Sequence, residues 1–461
     1  MTDPLLGYVA DRISDYQRGV GERPVLARAG VAELTAMVGG PLPDDPTDPS
    51  DAVRLLADAV EAGSLATTGP RYFGFVVGGT LPGTVAADWL AVGTDINAAA
   101  YAMGPAAAVI EDVAAHWLVD VLHLPADVSV GFTTGAMMAN FTCLAAARHH
   151  ALAKAGWDVE ADGLQGAPHV HVVVGDERHA TIDAALRYLG LGSATPHVVP
   201  TDDQGALRVE LLAGVLAGCD GPTIVCAQAG NVNTGAFDPL GEICALAHGH
   251  GAWVHVDGAF GLWASASPAL RHRVAGFELA DSWASDAHKW LNVPYDSGLA
   301  FVAHPDALGA AMRKQASYLP PGAEGERDGD AYVPESSRRA RGLAVWTALR
   351  TLGRAGVADL VDRCCALARR FAEQLEAVPG VEVLNDVVLN QVLVRFGDSD
   401  DFTRRVIAAA QAESTSWFGS TVWHEMAAAR ISVSSWATTE ADVDRTVAAI
   451  VSVLDRLPSE G

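Results

Sequence analysis

The strongest constraint on the fold is a repeated alternation, between residues 71 and 310, of short β-rich runs with stretches of helical character. The runs are only five to seven residues long, and they are rich in valine and other strand-forming residues. This alternation is typical of βαβ units, in which each helix returns the chain to the same end of a mainly parallel sheet. The clearest predicted strands are 169–175, 223–227, 252–257, 281–285 and 299–304, and the clearest helices are 208–217 and 241–250.

Composition divides the chain into three predicted parts. Residues 1–70 combine amphipathic pieces with a Pro/Asp-rich patch at 40–51 and are interpreted as an N-terminal arm. Residues 71–340 form a large domain, which ends in a Gly/Pro-rich segment, 313–339, predicted as a mobile loop. Residues 341–461 are predicted as a smaller α+β domain. Its helices are expected at 341–353, 357–378 and 441–457, and its strands within 381–396 and at 429–433.

Charge and hydrophobicity narrow the class of partner. The chain has 461 residues, 50% hydrophobic content and a formal net charge of -25. Such an acidic chain repels nucleic acid and anionic membranes, so a small molecule is the expected ligand. No run reaches the roughly 18 apolar residues of a membrane span. The first residues also lack the pattern of a signal peptide, so a cytoplasmic location is expected.

The cysteines and histidines suggest neither a disulfide nor a metal site. No two of the six cysteines form a CxxC pair, and most lie in apolar stretches where cysteine acts as a small hydrophobe. Apart from the two histidines discussed below, the histidines have no spacing typical of metal ligands and are interpreted as structural or solvated. We therefore predict no metal.

The sequence uses lysine sparingly. Of 31 lysines and arginines, three are lysine, namely Lys154, Lys289 and Lys314. Lys289 follows His288 shortly after the predicted strand 281–285, close to the sheet edge where ligands of α/β proteins lie. A primary amine can lose its proton and form a Schiff base with an aldehyde, whereas a guanidinium stays charged. Lys289 is therefore the candidate reactive residue.

Two further polar residues follow predicted strands and are expected at the same edge. Asp257 precedes two small residues, so a flat ring could rest on the backbone while the carboxylate meets a ring nitrogen. The alternative is an aspartate that caps the next turn. His179 follows the strand 169–175 and could stack on an aromatic ring. The alternative is a partly exposed loop histidine.

A helix start rich in small residues offers a third group of candidates. Thr134, Gly135 and Ala136 lead into an Ala-rich segment that continues to about residue 155. The free N–H groups of such a helix start can bind a phosphate. An ordinary capped helix start, with no ligand, is the alternative.

Four motifs occur in a specific order along the chain: Gly-x-x-x-x-Gly-Ala-Phe-Asp-Pro at 230–239, His-Val-Asp-x-Ala at 255–259, Asp-x-x-x-x-Asp-x-His-Lys-Trp at 281–290 and Ser-Arg-Arg-x-Arg at 337–341. With them, residues 70–455 resemble the group II pyridoxal 5′-phosphate-dependent amino acid decarboxylases, the family of the aromatic-amino-acid and glutamate enzymes. The resemblance implies fold type I, the aspartate aminotransferase fold, with a mainly parallel seven-stranded sheet and a smaller α+β C-terminal domain.

The resemblance also implies roles for the candidate residues. Lys289 would form the internal aldimine with pyridoxal phosphate, and Asp257 would pair with its pyridine nitrogen. The other implied cofactor contacts are Ala259 below the ring, His179 stacked above it, Asn231 near it, and Thr134, Gly135, Ala136 and His288 around the phosphate. An L-amino acid would then lose carbon dioxide through a quinonoid intermediate and leave as the amine. Relatives are homodimers with an interlocked N-terminal arm, and their sites lie at the subunit interface.

Two departures from the family pattern leave the exact reaction open. Met137 stands where relatives place serine or threonine against the phosphate, so backbone N–H groups and Thr134 would take over that contact. Relatives also carry a tyrosine in the mobile loop that protonates the substrate, yet residues 320–331 contain none, which leaves Tyr332 and Tyr318 as candidates. Without such a tyrosine, an aldehyde-forming oxidative reaction competes with decarboxylation. A carbon–carbon lyase and a non-catalytic cofactor-binding protein are two further interpretations that fit the same residues.

Four aromatic residues bear on the nature of the substrate. Tyr72, Phe73, Phe75 and Trp423 could line an apolar pocket, which favours aromatic or aliphatic substrates over acidic ones. The alternative is that they belong to the hydrophobic core.

Overall fold

The computed structural model describes residues 3–314 and 325–458. Several helices begin with proline in their first turn, where no backbone N–H is needed for a helical hydrogen bond. Within the described residues the α-helices are Pro4–Gly19 (α1), Val31–Val38 (α2), Pro49–Gly63 (α3), Pro82–Gly93 (α4), Pro105–Val121 (α5), Ala136–Lys154 (α6), Val159–Asp162 (α7), Ala180–Tyr188 (α8), Val209–Leu216 (α9), Leu240–Gly249 (α10), Pro305–Met312 (α11), Gly342–Glu376 (α12), Asp400–Ala412 (α13) and Glu440–Arg456 (α14).

The strands of the described residues are short, as the alternation in the sequence predicts. They are Tyr72–Phe73 (β1), Ser129–Thr133 (β2), His171–Gly175 (β3), His197–Val199 (β4), Thr223–Gln228 (β5), Trp253–Asp257 (β6), Ser282–Asp286 (β7), Gly298–Val302 (β8), Val381–Val383 (β9), Gln391–Phe396 (β10), Trp417–Trp423 (β11) and Met426–Ser432 (β12).

A seven-stranded sheet forms the core of the larger part of the chain, with the order β2-β8-β7-β6-β5-β3-β4. The strands from β4 to β7 pair in parallel, whereas β8 runs antiparallel to both of its neighbours. The carboxyl ends of β2, β3, β5, β6 and β7 therefore meet at one edge, together with the first residue of β8. We call this the carboxyl edge, and the opposite one the amino edge. The predicted mainly parallel sheet of fold type I is confirmed.

Helix α6 covers the middle of this sheet. It is rich in alanine and packs against β6, β7 and β8, while α8 and α11 flank it. Because alanine side chains are small, the helix axis can approach the strands closely, and Leu144, Val174 and Ile224 are fully buried in the core around it. This close packing holds the start of α6 at the carboxyl edge.

A second sheet has five strands in the order β1-β11-β12-β10-β9. Strand β1 is parallel to β11, whereas β11 and β12 form an antiparallel pair. The predicted strands near 381–396 and 429–433 correspond to β9, β10 and β12, whereas β11 was not predicted. Helix α12 is interrupted at Gly353, which has φ 61°, so the two helices predicted on either side of that point are confirmed.

The chain divides into two compact units. The smaller unit contains the second sheet and the first three helices, and the larger unit contains the seven-stranded sheet. Their residues are 1–77, 370–384 and 393–461 for the smaller unit, and 78–369 and 385–392 for the larger. The division into an arm (1–70), a large domain (71–340) and a small domain (341–461) stays a prediction.

Part of the predicted mobile loop lies outside the described residues, namely 315–324, which include Tyr318. The rest of the loop contains a short 3-10 helix, Gly329–Ala331, followed by Tyr332. Among the described residues, no helix combines the length and the apolar character needed to cross a bilayer.

Candidate active site

A cavity of about 250 Å³ opens at the carboxyl edge of the seven-stranded sheet. Its walls come from the ends of β5, β6 and β7, from the start of α6 and from the turn before α8. The residues that line it are Gly135, Ala136, Met137, His179, Thr181, Gln228, Gly230, Val232, Asp257, Ala259, Phe260, Asp286, His288 and Lys289. Parallel pairing thus brings together candidates that lie far apart in the sequence.

Lys289 lies in the turn that follows β7, and its ammonium group pairs with the last residue of that strand. Its Nζ is 2.9 Å from Oδ2 of Asp286, whose side chain is only 4% exposed. The other oxygen of Asp286 accepts a 2.6 Å hydrogen bond from the backbone N–H of Ala136 at the start of α6. Asp286 therefore connects the lysine to the helix start, and the favourable interaction of a carboxylate with a helix N-terminus stabilises this arrangement.

Asp257 is the last residue of β6 and is buried. Its Oδ1 accepts a hydrogen bond from the backbone N–H of Ala259 at 3.2 Å, so it does cap the following turn. Its Oδ2 accepts one from the side-chain amide of Asn140, also at 3.2 Å. The turn-capping interpretation is confirmed, and the same carboxylate lines the cavity, whereas its pairing with a ring nitrogen stays a prediction.

Asn140 connects Asp257 to His179 through hydrogen bonds. It is fully buried on α6, and its amide nitrogen donates both to Asp257 and, at 3.2 Å, to Oγ1 of Thr181. Thr181 Oγ1 lies 2.8 Å from Nδ1 of His179, and the Thr181 backbone N–H donates to the same nitrogen. His179 is thus the N-cap of α8. This network restricts the orientation of both Asp257 and His179.

The other end of the Asn140 amide is held by His255. Its Nε2 lies 2.9 Å from Oδ1 of Asn140, and its Nδ1 lies 2.9 Å from Oγ of Ser282. Burial lowers the pKa of His255 to about 3, since a charged imidazole would lose its hydration. His255 is therefore neutral at ordinary pH and acts as a hydrogen-bonding support beneath Asn140.

The turn before α6 fits closely against β8. A Cβ atom on Gly298, the first residue of β8, would overlap the backbone of Gly135, and a Cβ on Gly135 would lie 3.3 Å from Cε1 of His288. His288 accepts a hydrogen bond from the Ser297 backbone N–H at Nδ1, which places its proton on Nε2. Burial lowers the pKa of His288, so it is a neutral donor beside the helix start.

Three predicted site residues are not among those that line the cavity. Thr134 is half-buried and directly precedes Gly135, the first of the lining residues. Asn231 is buried, and its Oδ1 accepts hydrogen bonds from the backbone N–H groups of Asn233 and Thr234. The ring of Tyr332 stacks on the guanidinium of Arg327, 4.0 Å from its Cζ, and packs against the hydrophobic core. The roles predicted for these three residues stay predictions.

Sequence reasoning missed Asp286, Thr181 and Asn140. Asp286 stands inside the Asp-x-His-Lys motif, three residues before Lys289, and this spacing was the signal that could have identified it. Asn140 gave no such signal, because a buried asparagine on an alanine-rich helix becomes meaningful only when its partners from β6 and α8 are known. Of the aromatic candidates, Phe73 and Trp423 are buried in the smaller unit, whereas Phe75 is 62% exposed and stacks on Trp417.

Comparison with known proteins identifies the family. The model of the pyridoxal-dependent decarboxylase conserved domain matches residues 43–396, and the chain belongs to this family. It is similar to the aromatic-L-amino-acid decarboxylase of Bacillus atrophaeus, with 29% identity covering 86% of this chain and 82% of the relative. It is 31% identical to a tyrosine decarboxylase of Oryza sativa subsp. japonica, covering 82% and 73%.

The fold is shared with solved structures of the same kind. The crystal structure of Oryza sativa TDC with PLP and tryptamine superposes with a TM-score of 0.90 and 24% identity, covering 98% of this chain and 97% of that one. The chain is thus an amino acid decarboxylase that depends on pyridoxal phosphate, and the predicted family, cofactor and reaction class are confirmed.

Proposed function

We propose that the chain decarboxylates an aromatic L-amino acid and that Lys289 is the residue that bonds to the aldehyde of pyridoxal phosphate. The observation that carries this proposal is the convergence of Lys289, Asp257 and His179 on one cavity from three different strand ends. Each supplies a different property: an amine, a buried anion and a flat ring. These are the properties that an aldehyde-bearing, protonated aromatic ring requires.

The chemistry of the cavity walls fits the cofactor. When bound, pyridoxal phosphate supplies an electron-withdrawing ring that accepts the electron pair of the bond to the departing carboxylate. Asp257 is the anion placed to keep a proton on the ring nitrogen, and Asn140 holds its Oδ2 in a fixed direction. Ala259 offers a small side chain at the cavity wall, so a flat ring can approach the backbone there.

Lys289 must lose a proton before its amine can attack an aldehyde. Oδ2 of Asp286, 2.9 Å from Nζ, is the nearest described acceptor for that proton. The pair also holds the lysine side chain against the end of β7, which directs it into the cavity. Asp286 therefore positions the amine, a role that the sequence alone did not indicate.

We assign the phosphate to the start of α6. The helix end offers the backbone N–H group of Gly135, and that of Ala136 once it leaves Asp286. The Nε2 proton of His288, 3.4 Å from Oδ1 of Asp286, lies beside them. Thr134, immediately before the helix, is the hydroxyl that could complete this contact, since Met137 has none. The carboxylate of Asp286 already accepts from Ala136, so a bound phosphate would have an anionic neighbour.

An aromatic substrate is favoured over an acidic one for two reasons. The curated relatives described above are named for aromatic amino acids. Among the described residues that line the cavity, no arginine offers the paired donors that an acidic side chain would need, and Lys289 is reserved for the cofactor. Val232, Phe260 and Met137 contribute apolar surface instead.

An aldehyde-forming reaction is the second candidate, and one observation favours it. Residues 320–331 contain no tyrosine, and Tyr332 stacks on Arg327. If Tyr332 does not donate a proton to the substrate Cα, oxygen can compete at that carbon. We retain Tyr332 as the proposed proton donor and treat aldehyde formation as the reaction expected where that donation fails.

We propose that the active form is a homodimer built through the N-terminal helices. The first 60 residues expose large hydrophobic side chains that a partner subunit would cover, namely Leu6 (66%), Val31 (85%), Leu42 (90%), Leu56 (58%) and Val60 (55%). Light scattering on the purified protein should give twice the 48.0 kDa chain mass. A monomer of full activity would contradict this proposal.

A cytoplasmic location is proposed on the state of the cysteines. None of the six forms a disulfide, and five of them are buried, which suits a reducing compartment. Fractionation of cells that express the chain would test this, with the protein expected among cytoplasmic markers.

The decisive experiment for the reaction is a panel of L-amino acids assayed in parallel for carbon dioxide, amine, aldehyde and peroxide. We expect an aromatic amino acid to give equal amounts of carbon dioxide and amine. Tyr332→Phe should lower amine formation while the substrate still changes the cofactor absorbance. Equal aldehyde and peroxide from the unmodified protein would favour the oxidative reaction. Aldehyde release without carbon dioxide would favour a lyase, and an absorbance that no amino acid changes would favour a non-catalytic protein.

A further inference from the structure

A second cluster of reactive side chains lies at the amino edge of the seven-stranded sheet. His171 is the first residue of β3, His197 is the first residue of β4, and Cys219 lies between α9 and β5. One ligand atom from each of the three lies within 4.8 Å of the others. All three side chains are half-buried, so the cluster is accessible to an ion from solution.

The distance between the two histidines suits a shared ion. Nδ1 of His171 lies 3.1 Å from Nε2 of His197. Two nitrogen ligands about 2.0–2.1 Å from a tetrahedral zinc ion lie roughly 3.3 Å apart, so little movement would be needed. A hydrogen bond between the two rings also explains this distance. Two further observations favour a metal, namely the partner of the other His171 nitrogen and the position of the Cys219 sulfur within 4.8 Å of both rings.

The outer nitrogen of His171 has the partner that metal-bound histidines usually have. Nε2 of His171 lies 3.2 Å from Oδ1 of Asp220. A carboxylate that accepts the second ring proton fixes the tautomer in which Nδ1 is unprotonated, and this arrangement also strengthens the histidine as a ligand. The cluster thus contains both the ligands and the outer support of a metal site.

We propose that His171, His197 and Cys219 bind Zn²⁺, with a water molecule as the fourth ligand. Imidazole and thiolate ligands select zinc over magnesium or calcium, which prefer oxygen. Cys219 is suited to this role because it is half-buried, whereas the other five cysteines are buried. Binding exchanges the thiol proton for the metal, so the proton is released to solvent and no oxidant is required.

The bound metal would stabilise the sheet and would take no part in the decarboxylation. Strand β4 is only three residues long and is the outermost strand on one side of the sheet. A metal held by β3, β4 and the segment before β5 would link this outermost strand to its neighbours. The proposal is independent of the function proposed above, because the cavity lies at the opposite edge of the sheet.

Cobalt is the probe that tests the site in the cofactor-loaded protein. Co²⁺ takes the same ligands as zinc, and a thiolate ligand adds a sulfur-to-cobalt absorption band. We expect this band in the unmodified protein, its loss in Cys219→Ser, and its displacement by equimolar Zn²⁺. Titration calorimetry with Zn²⁺ should give one site, weakened at least about tenfold in His197→Gln. His116→Gln, which alters a histidine exposed on α5, is the matched control and should bind as the unmodified protein does.

Two results would overturn the proposal. One is the absence of any sulfur-to-cobalt band in the unmodified protein. The other is equal zinc affinity in Cys219→Ser, His197→Gln and the control, which would indicate surface binding elsewhere. Circular dichroism establishes whether the variants are folded. If one unfolds, the spectrum of the unmodified protein still decides, because Cys219 is the half-buried cysteine.

Discussion

The two edges of the seven-stranded sheet carry reactive side chains of different kinds. At the carboxyl edge, Lys289, Asp257 and Asp286 are charged groups that line a cavity. At the amino edge, His171 and His197 are imidazoles grouped around a cysteine, and they are not among the residues that line that cavity. Parallel strands create both groups by the same means, because their ends align. The comparison teaches that aligned strand ends bring side chains close together, whereas their ability to bind a small molecule depends on whether the helices leave a cavity above those ends.

The comparison also explains what the sequence could reveal. Lys289 and Asp286 lie within one short motif, and Asp257 lies in another, so pattern alone identified two of the three. His171, His197 and Cys219 are separated from one another by more than 20 positions, so their spacing along the chain matches no metal-binding motif. The expectation of no metal rested on spacing along the chain and stays a prediction, whereas the proposed zinc site rests on residues that strand pairing brings together.

The fold was predictable where each strand is marked by its own residues. The strands β3, β5 and β6 are short, mostly apolar and followed by small or polar residues, so their prediction needed no tertiary information. Strand β11, with the sequence Trp-Phe-Gly-Ser-Thr-Val-Trp, was missed because its glycine and serine weaken the local preference for a strand, and its pairing with β12 supplies the rest.

The largest expected effect is at the carboxyl edge. Lys289→Arg keeps a positive charge but cannot form a Schiff base, so decarboxylation should fall by on the order of 10⁴-fold or more. Borohydride reduction followed by peptide mass mapping should find the cofactor on Lys289 in the unmodified protein. Lys154→Arg, which changes an exposed lysine bonded to the Gly251 carbonyl, should behave normally. A cofactor adduct on Lys154 or Lys314 would contradict the assignment.

A smaller loss of activity is expected when the hydrogen bonds of Asn140 beneath the cavity are removed. Asn140→Ala removes the donor to Asp257 and the acceptor of His255. We expect kcat/KM to fall about 10- to 100-fold, which corresponds to the roughly 1–3 kcal/mol of a buried polar group left without its partner. Thr142→Val, at a buried position on the same helix, is the control. Equal losses in both variants would mean that α6 is merely sensitive to substitution.

The pH dependence of stability tests His255, which holds the side-chain amide of Asn140. Because the pKa of His255 is lowered to about 3 when folded, from 6.5, the unfolded chain takes up a proton that the folded chain lacks. Its contribution is complete above pH 6.5 and declines as the pH falls towards 3, by up to about 1.4 kcal/mol per pH unit. Urea unfolding between about pH 7 and 5 should therefore be less pH-dependent in His255→Gln, while His116→Gln should retain the original slope.

A smaller effect is expected at Asp286. Asp286→Asn removes an anion beside the proposed phosphate position but retains an oxygen that can accept from Ala136. The apoprotein should then bind pyridoxal phosphate about fivefold more tightly, the equivalent of roughly 1 kcal/mol between two charges about 4 Å apart in water. A fluorescence titration measures this, with the exposed Asp306→Asn as control. Weaker binding would indicate that the carboxylate stabilises the loaded site.

The smallest effect on the reaction is expected from metal removal. A chelator should lower the thermal unfolding midpoint of zinc-loaded protein, since a ligand bound only to the folded state stabilises it. The decarboxylation rate should change less than about twofold, because the cluster is at the edge away from the cavity. If activity were lost in step with zinc, the metal site would not be independent of the cavity at the carboxyl edge.

The close fit between Gly135 and Gly298 has a consequence for protein engineering. A thermostability programme would consider Gly298 a good candidate for alanine, since its backbone is not among the positive-φ glycines and such a change stiffens the denatured chain. The neighbouring backbone forbids it, because an added methyl group would enter the space of Gly135. Screens that rank glycines by torsion angle alone would therefore select a mutation that displaces the turn before α6.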